Sequence, residues 1–379
     1  MPRSEVLGAA QRVVVKIGTQ LMTREARGKD GRAVVGLDSR FIGRIAGQIA
    51  ALYHRGVSVT LVSSGAVGAG CIELGRDQRP TDIADAQAVA AVGQRRLLTV
   101  WANAFKRRGL GVGQVLLTRS DFDDRARFLN IRNCVSRLQS LGCVPILNEN
   151  DAVAVDELRF GDNDLLAGLA CNAIRAELLV MLTVVEGLWD EHGQVVPRVD
   201  DVLAWRSRVR DERSGWGSGG MGGKLEAARV VTEAGQAAII ANGRQPEVLH
   251  RVLGGEELGT LFLPGSRKMD ARRRWIGLTV RPAGTVTVDD GAARALTAEG
   301  ASLLARGITG FTGRFQRGDV LLIRDPNGRE IGRGLTDYTT EELRLAQGRR
   351  TDELPEILGG PNYAAVIHRN NMVVSGAAP

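Results

Sequence analysis

The sequence predicts an α/β protein: a mostly parallel sheet sandwiched by helices, followed by a small, mostly-β C-terminal domain. Three observations carry that reading. The first two-thirds of the 379-residue chain alternate short β-branched runs with longer stretches of helical periodicity, the pattern of βαβ units. After Pro264 the texture changes to short runs broken by turn residues. The length also exceeds what one ordinary core holds, so two domains are expected.

Taken in order, the strand candidates are residues 13–17, 57–62, 112–117, 144–147, 178–185 and 237–240. Between the first two, residues 38–55 place Phe41, Ile42, Ile45, Ile49, Leu52 and Tyr53 at helical spacing, with Asp38 as the N-cap and Gly56 as the stop. Further helices are expected over 84–108, 127–141, 164–176 and 224–234. Residues 265–274 are polar, charged and poor in core-formers, as a domain boundary is. Beyond them, 284–288, 319–323, 330–334 and 364–367 read as short strands, and Pro326-Asn327-Gly328 as the turn of a β-hairpin.

Composition removes several classes. With 44% hydrophobic and 25% charged residues the chain has the make-up of a soluble globular protein. It has no apolar run long enough to span a bilayer and no signal-peptide pattern, so a cytoplasmic location is expected. The four cysteines contain no CxxC pair, which fits a reduced compartment. His54, His192, His250 and His368 are scattered without metal-ligand spacing, and no serine sits in a GxSxG elbow. No metal site from protein side chains is predicted.

The net charge is +7, yet only five of the 50 basic residues are lysines: Lys16, Lys29, Lys106, Lys224 and Lys268. Two of those five stand beside glycine in loops that follow strands or open helices. The first loop is Lys16-Ile17-Gly18-Thr19. A second, Ser63-Ser64-Gly65-Ala66-Val67-Gly68-Ala69-Gly70, turns from a strand into a helix start. A third is Asn148-Glu149-Asn150-Asp151, with Phe160-Gly161-Asp162-Asn163-Asp164 further on. The last is Gly217-Ser218-Gly219-Gly220-Met221-Gly222-Gly223-Lys224. Ligands of open α/β sheets bind at strand ends, and glycine loops at helix starts offer N–H groups to anions. Residues 217–222 formally satisfy GxGxxG, but no strand precedes them, and Ser218 and Leu225 break the P-loop pattern. Read on their own, the glycines suit a surface linker as well as a phosphate loop, and Asp162 and Asp164 suit helix N-capping as well as a phosphoryl-transfer site.

Together these loops resemble the glutamate 5-kinase family of the amino acid kinase superfamily. The segments that carry the likeness are Val14-Val15-Lys16-Ile17-Gly18-Thr19, Val62-Ser63-Ser64-Gly65-Ala66, Leu117-Thr118-Arg119, Arg127-Phe128-Leu129-Asn130, the run from Ile146 to Val153, Phe160-Gly161-Asp162-Asn163-Asp164 and Gly219-Gly220-Met221-Gly222-Gly223-Lys224. The C-terminal region, around Gly284, Asp289-Asp290-Gly291, Arg317-Gly318-Asp319 and Gly332-Arg333-Gly334, resembles a PUA domain. The resemblance implies a catalytic domain over 8–264, a basic linker over 265–282 and a PUA domain over 283–365.

It also implies the activity, ATP-dependent phosphorylation of the side-chain carboxylate of L-glutamate in the first step of proline synthesis. Lys16 and Lys224 are then catalytic, with Asp164 holding both. Ser64, Asp151, Asn163 and Asn148 contact glutamate, with Asp162 in support. ATP lies on Lys16, Thr183, Ser218, Gly219, Gly220, Met221, Gly222, Gly223 and Lys224, and Mg2+ accompanies it. The family further implies homo-oligomers and proline as a feedback inhibitor. Two positions depart from its pattern: Val184 follows Thr183 where Asp is usual, and Gly222-Gly223 replaces a polar pair. The rival readings are a sister kinase acting on N-acetylglutamate, aspartate or a nucleotide, and an RNA-binding protein built on the PUA domain. Against the latter, the chain is only 4% aromatic, and more than half of its charge excess sits in residues 267–274, five basic against one acidic.

Overall fold

The computed structural model describes residues 2–27, 33–154, 163–206, 220–265, 275–358 and 364–374. The chain divides into two compact units, Met1–Lys268 and Met269–Pro379.

The first unit opens with helix α1 (Arg3–Gly8), absent from the sequence expectation, and then strand β1 (Arg12–Ile17) and the short α2 (Thr19–Met22). Strands β2 (Thr23–Arg27) and β3 (Ala33–Leu37) form a separate antiparallel pair that was also not anticipated. Then come α3 (Ser39–His54), β4 (Ser58–Ser63), α4 (Ala66–Glu73), α5 (Ile83–Lys106), β5 (Gly111–Leu117), α6 (Arg119–Asp123), α7 (Arg125–Ser140) and β6 (Cys143–Glu149). The remainder is α8 (Asn163–Ile174), β7 (Leu178–Thr183), β8 (Arg198–Val199), α9 (Val202–Arg206), α10 (Met221–Glu233), β9 (Ala237–Asn242), α11 (Val248–Leu253) and β10 (Thr260–Phe262).

Eight strands make one sheet in the order β5-β6-β4-β1-β7-β9-β10-β8. The first six are mutually parallel; β10 runs antiparallel to β9 and carries β8 parallel to itself. Strand β1 lies inside this sheet, and its residues show why: Val13, Val14, Val15 and Ile17 have no solvent exposure, the near-continuous apolar run of a strand covered on both faces. Val13, Val15 and Ile17 join a core with Ile42, Ile45 and Ile49 of α3 and Leu97 and Trp101 of α5. By strand alternation Val14 and Lys16 face the other side, where α8 packs on β1.

The helix starts follow local chemistry. Asp38 Oδ1 accepts from the backbone N–H groups of Arg40 and Phe41 at 3.1 and 2.9 Å, and Gly56, at φ +84°, closes α3 as expected. Helices α4 and α5 approach through glycine. A Cβ on Gly93 would lie 1.8 Å from the Ala66 carbonyl oxygen, and one on Gly70 would lie 1.9 Å from that of Val89.

In the second unit, β11 (Gly284–Val288) pairs antiparallel with β12 (Ile308–Gly313) and parallel with β13 (Val320–Arg324). The expected hairpin joins β13 to β14 (Glu330–Leu335): Asp325 N–H donates to Arg329 O at 3.0 Å, and Gly328 takes φ +79°. Strand β15 (Met372–Val374) completes a five-stranded sheet in the order β12-β11-β13-β14-β15, over a core that includes Val286, Val288, Phe315, Ile323, Tyr338 and Ile367. Residues 364–367 are not a strand: Ile367 makes an isolated bridge to Leu303, while the Val366 N–H donates to Leu303 O and its carbonyl accepts from Asp337 N–H, so the segment's backbone bonds are split between two partners. Helices Asp290–Ala298 and Thr340–Ala346 are each started by a side-chain cap, at Asp289 and Thr339. Within the span expected as linker, Trp275–Thr279 forms a π-helical turn packed on β14 and β15, while most of the basic stretch lies outside the described residues.

The glycine contact between α4 and α5 has a measurable consequence. Gly93→Ala forces the two backbones apart and is expected to cost at least about 2 kcal/mol, read as a lower midpoint in urea unfolding. An unshifted midpoint would show that the helices separate freely.

Candidate active site

Six parallel strands present their residues in register. Val115, Leu147, Val62, Lys16, Met181 and Ile240 form one lateral row across β5, β6, β4, β1, β7 and β9. The chain therefore leaves five of these strands at one edge, through Asn150, Ser64, Gly18, Val184 and Gly243. The order of connection reverses around β1, with β4 on one side and β7 on the other, which is the switch point where open α/β sheets bind ligands.

Neighbouring loops are tied to each other at this edge. Gly18 N–H donates to Leu182 O at 3.2 Å, and Gly243 N–H donates to Thr183 O at 2.9 Å. Gly65 takes φ +94°, with the Thr19 methyl 3.1 Å from where a Cβ would stand, so this left-handed turn from β4 into α4 admits only glycine comfortably. Trp101 Nε1 donates to Ser63 Oγ at 3.2 Å and fixes the end of β4 beside the buried Ser64.

Lys16, Asp164 and Lys224 meet directly. Asp164 is completely buried in the first turn of α8, and its carboxylate lies between two ammonium groups: Lys16 Nζ is 2.5 Å from Oδ1, and Lys224 Nζ donates to Oδ2 at 3.0 Å. Both lysines are themselves at least nine-tenths buried. Burial alone would push the Asp164 carboxyl up; the charges and hydrogen bonds of the two lysines outweigh it and hold its pKa down at about 2, against an ordinary 3.8. Two ammonium groups thus meet on one carboxylate. Lys224 also stands in the first turn of α10, where the helix dipole disfavours a cation. That helix begins at Gly220 without a side-chain cap, leaving its first N–H groups for an anion.

The remaining expected residues fall as follows. Asn163 opens α8 beside Asp164, and its Oδ1 is buried without a hydrogen-bond partner. Asn148 and Glu149 lie inside β6, which extends two residues beyond the expected strand, so the loop begins at Asn150. Likewise Met221, Gly222 and Gly223 are the first turn of α10 and not part of a flexible glycine loop, since the helix starts three residues before Lys224. Thr183 ends β7, and Val184, where the family pattern has Asp, packs against the apolar core. Asp162, Ser218 and Gly219 lie outside the described residues.

One site residue carries no sequence signal. Gln94 of α5 donates from Nε2 to the Glu149 carbonyl at 3.0 Å and to Asp151 Oδ2 at 3.3 Å, and its Oε1 accepts from Asn148 Nδ2 at 3.1 Å. It thereby brings Asn148 and Asp151 into one cluster. In the sequence it is one polar residue on a long helix, 54 positions from the nearest of them.

A pair of lysines on one buried carboxylate stands beside an uncapped helix start at the switch point, an arrangement whose chemistry suits an anion without a P-loop. The model of the Amino acid kinase family matches residues 11–242, a span that contains all of this machinery except the linker and second unit. The chain belongs to the amino acid kinase family. A PUA domain model matches residues 284–358 of this amino acid kinase, within the second unit. Curated relatives align almost end to end. A protein named glutamate 5-kinase from Synechococcus sp. (strain JA-3-3Ab) is 42% identical, covering 96% of this chain and 98% of that one. One of the same name from Citrifermentans bemidjiense is 43% identical over 98% of this chain and all of its own length. Another, from Methylococcus capsulatus, is 43% identical over 98% and 99%. Among solved structures, a UMP kinase from Bacillus anthracis overlays with a TM-score of 0.46 at 14% identity, covering 68% of this chain and 97% of that one.

The buried carboxylate sets a pH signature in this amino acid kinase. A depressed pKa contributes stability in full above the unfolded value of about 4, and loses it as pH falls toward about 2. Asp164→Asn leaves two buried ammonium groups without their anion and should destabilise the unit by about 3–5 kcal/mol at pH 7. Urea unfolding across pH should show the gap between parent and variant narrowing as pH drops below about 4. A gap that stays constant would mean Asp164 is not the titrating anion.

Proposed function

We propose that the chain is a glutamate 5-kinase, transferring the γ-phosphoryl group of ATP to the side-chain carboxylate of L-glutamate. The observation that carries phosphoryl transfer is the buried Lys16–Asp164–Lys224 group, and near-full-length identity to curated glutamate 5-kinases carries the choice of acceptor. The product is an acyl phosphate, which enters proline synthesis as its first intermediate.

The chemistry needs no general base. A glutamate side chain has a solution pKa near 4.3 and attacks as the carboxylate it already is. A carboxylate oxygen forms a bond to the γ-phosphorus while the bond to the β–γ bridging oxygen breaks, releasing ADP. The obstacle is repulsion between a carboxylate and a polyphosphate brought into line. Lys16 and Lys224 oppose that repulsion and stabilise charge on the transferring group, and the N–H groups at the start of α10 add fixed dipoles. Asp164 holds the two ammonium groups at a set separation, so little reorganisation accompanies the transfer.

Mg2+ belongs to the co-substrate in this reading. The ion would be held by the ATP phosphates and would supply charge neutralisation there, beside Lys16 and Lys224. Thr183 and the 218–224 segment bound the nucleotide.

On the acceptor side, Ser64, Asn148, Asp151 and Asn163 surround glutamate. Asn163 Oδ1, buried and without a partner, accepts from the substrate, and the Asp151 carboxylate matches the α-ammonium group. An acylated amine offers no charge to Asp151, which disfavours N-acetylglutamate. We take residues 8–264 as the catalytic domain and 283–365 as the PUA domain, with cytoplasmic location, homo-oligomerisation and proline feedback following the family.

Hydroxylamine traps acyl phosphates as hydroxamates, so the reaction is measured with glutamate or N-acetylglutamate, ATP and Mg2+. Glutamate should be strongly preferred; preference for the acetylated substrate would overturn the assignment. Lys224→Ala should lower kcat by about 10²–10³-fold while leaving the KM for glutamate close to the parent value.

A further inference from the structure

Gln94 uses its whole carboxamide. Nε2 donates to Glu149 O and Asp151 Oδ2, and Oε1 accepts from Asn148 Nδ2 and, at 3.4 Å, from Gln114 Nε2 of β5. The orientation is forced: exchanging the two ends would set an NH2 group against two other NH2 groups and an oxygen against two oxygens. Asn148 is oriented in turn, because donating to Gln94 leaves its Oδ1 to accept from Glu149 N–H at 2.9 Å.

The helix that carries Gln94 also holds the opposite wall. Gly93, its neighbour, lies against the Ala66 carbonyl at the start of α4, immediately after Ser64 and Gly65. Helix α5 thus reaches the Ser64 turn through Gly93 and the 148–151 segment through Gln94. Two walls of the acceptor site are referred to consecutive residues of one rigid element.

We infer that Gln94 is a positioning residue for the acceptor: it touches neither reacting atom, and it fixes the Asn148 amide and the Asp151 carboxylate in the geometry that receives the substrate's ammonium end. The inference rests on the reading of this site as the glutamate site. Without Gln94 the two side chains must be ordered at each binding event, which weakens ground-state binding of glutamate and leaves the phosphate side alone.

Two variants of the full chain test this by hydroxamate trapping. Gln94→Met keeps an unbranched side chain of similar length and removes all four hydrogen bonds. The KM for glutamate should rise about tenfold, as expected for hydrogen bonds to a charged group, with kcat and the KM for ATP unchanged. Gln94→Glu is isosteric. Ionised, it repels Asp151 and offers no donor; protonated, its O–H donates again. Asp151 is the charged side chain in contact with it, while Arg95 and Arg96 on the same helix are paired with Glu73. The ratio of its glutamate KM to that of the parent should therefore fall as pH is lowered from 8 toward 5, a response that loss of packing would not produce. An active parent together with a Gln94→Met variant of unchanged glutamate KM, or a flat pH ratio for Gln94→Glu, overturns the positioning role. A parent that does not phosphorylate glutamate sinks the functional reading itself.

Discussion

One carboxylate between two ammonium groups governs the layout of the catalytic unit. Three buried charges on β1, α8 and α10 are tolerable only because they meet: Lys16 and Lys224 each take one oxygen of Asp164. Bringing two helices and a strand to that point requires close backbone packing, and α8 and α10 have it. A Cβ on Gly168 would lie 3.1 Å from the Ala227 carbonyl oxygen, so the helices sit nearer than ordinary side chains allow. In the proposed reaction the two ammonium groups and the uncapped start of α10 all favour an incoming anion.

Much of this was legible in the sequence, for identifiable reasons. The 13–17 run is apolar on both faces, so its strand state follows from the residues alone, and Lys16 stands out as the one buried charge in β1. The scarcity of lysine in an arginine-rich chain marked Lys224 as well. What escaped were features set by distant partners. Asn148 and Glu149 read as loop because they are polar, yet β5 pairs with them through Leu116 and Leu117 and carries the strand onward. Met221, Gly222 and Gly223 read as loop because glycine disfavours helix, yet packing of α10 against α8 and β9 imposes it. Residues 364–367 have strand composition, yet their backbone bonds are divided between Leu303 and Asp337 instead of running along one partner strand. Gln94 is informative only once the fold places it under the 148–151 segment.

The arginines serve differently from the two buried lysines. Arg12 pairs with Glu177, Arg95 and Arg96 with Glu73, Arg251 with Glu256 and Arg317 with Glu342, all at or near the surface. Such pairs contribute about 0–1 kcal/mol each and are screened by salt. The pairs made by Arg12, Arg251 and Arg317 are each neutral, so these arginines leave the chain's positive balance unchanged. A guanidinium fork at position 16 or 224 would also fit poorly: Asp164 offers one oxygen to each partner, a geometry for two point charges and not for a bidentate plane.

The proposed transfer requires acceptor and nucleotide halves to be aligned, and the residues assigned to them rest on different elements. Ser64 and the 148–151 segment are carried by β4, β6 and α5, whereas Thr183 and Lys224 belong to β7 and α10. Strand β1 is hydrogen-bonded to both sides, with Lys16 opposite Val62 of β4 and Met181 of β7. Sheet register is thus the alignment device. A slip of one residue would turn Lys16 toward Ile42, Ile45 and Leu97 and expose Val15 to Asp164, burying an unpaired charge in an apolar core while leaving the carboxylate short of one partner. The alternation of apolar residues that folds β1 correctly is therefore the same pattern that delivers the Lys16 ammonium group to Asp164, so stability and the proposed catalysis select a single register.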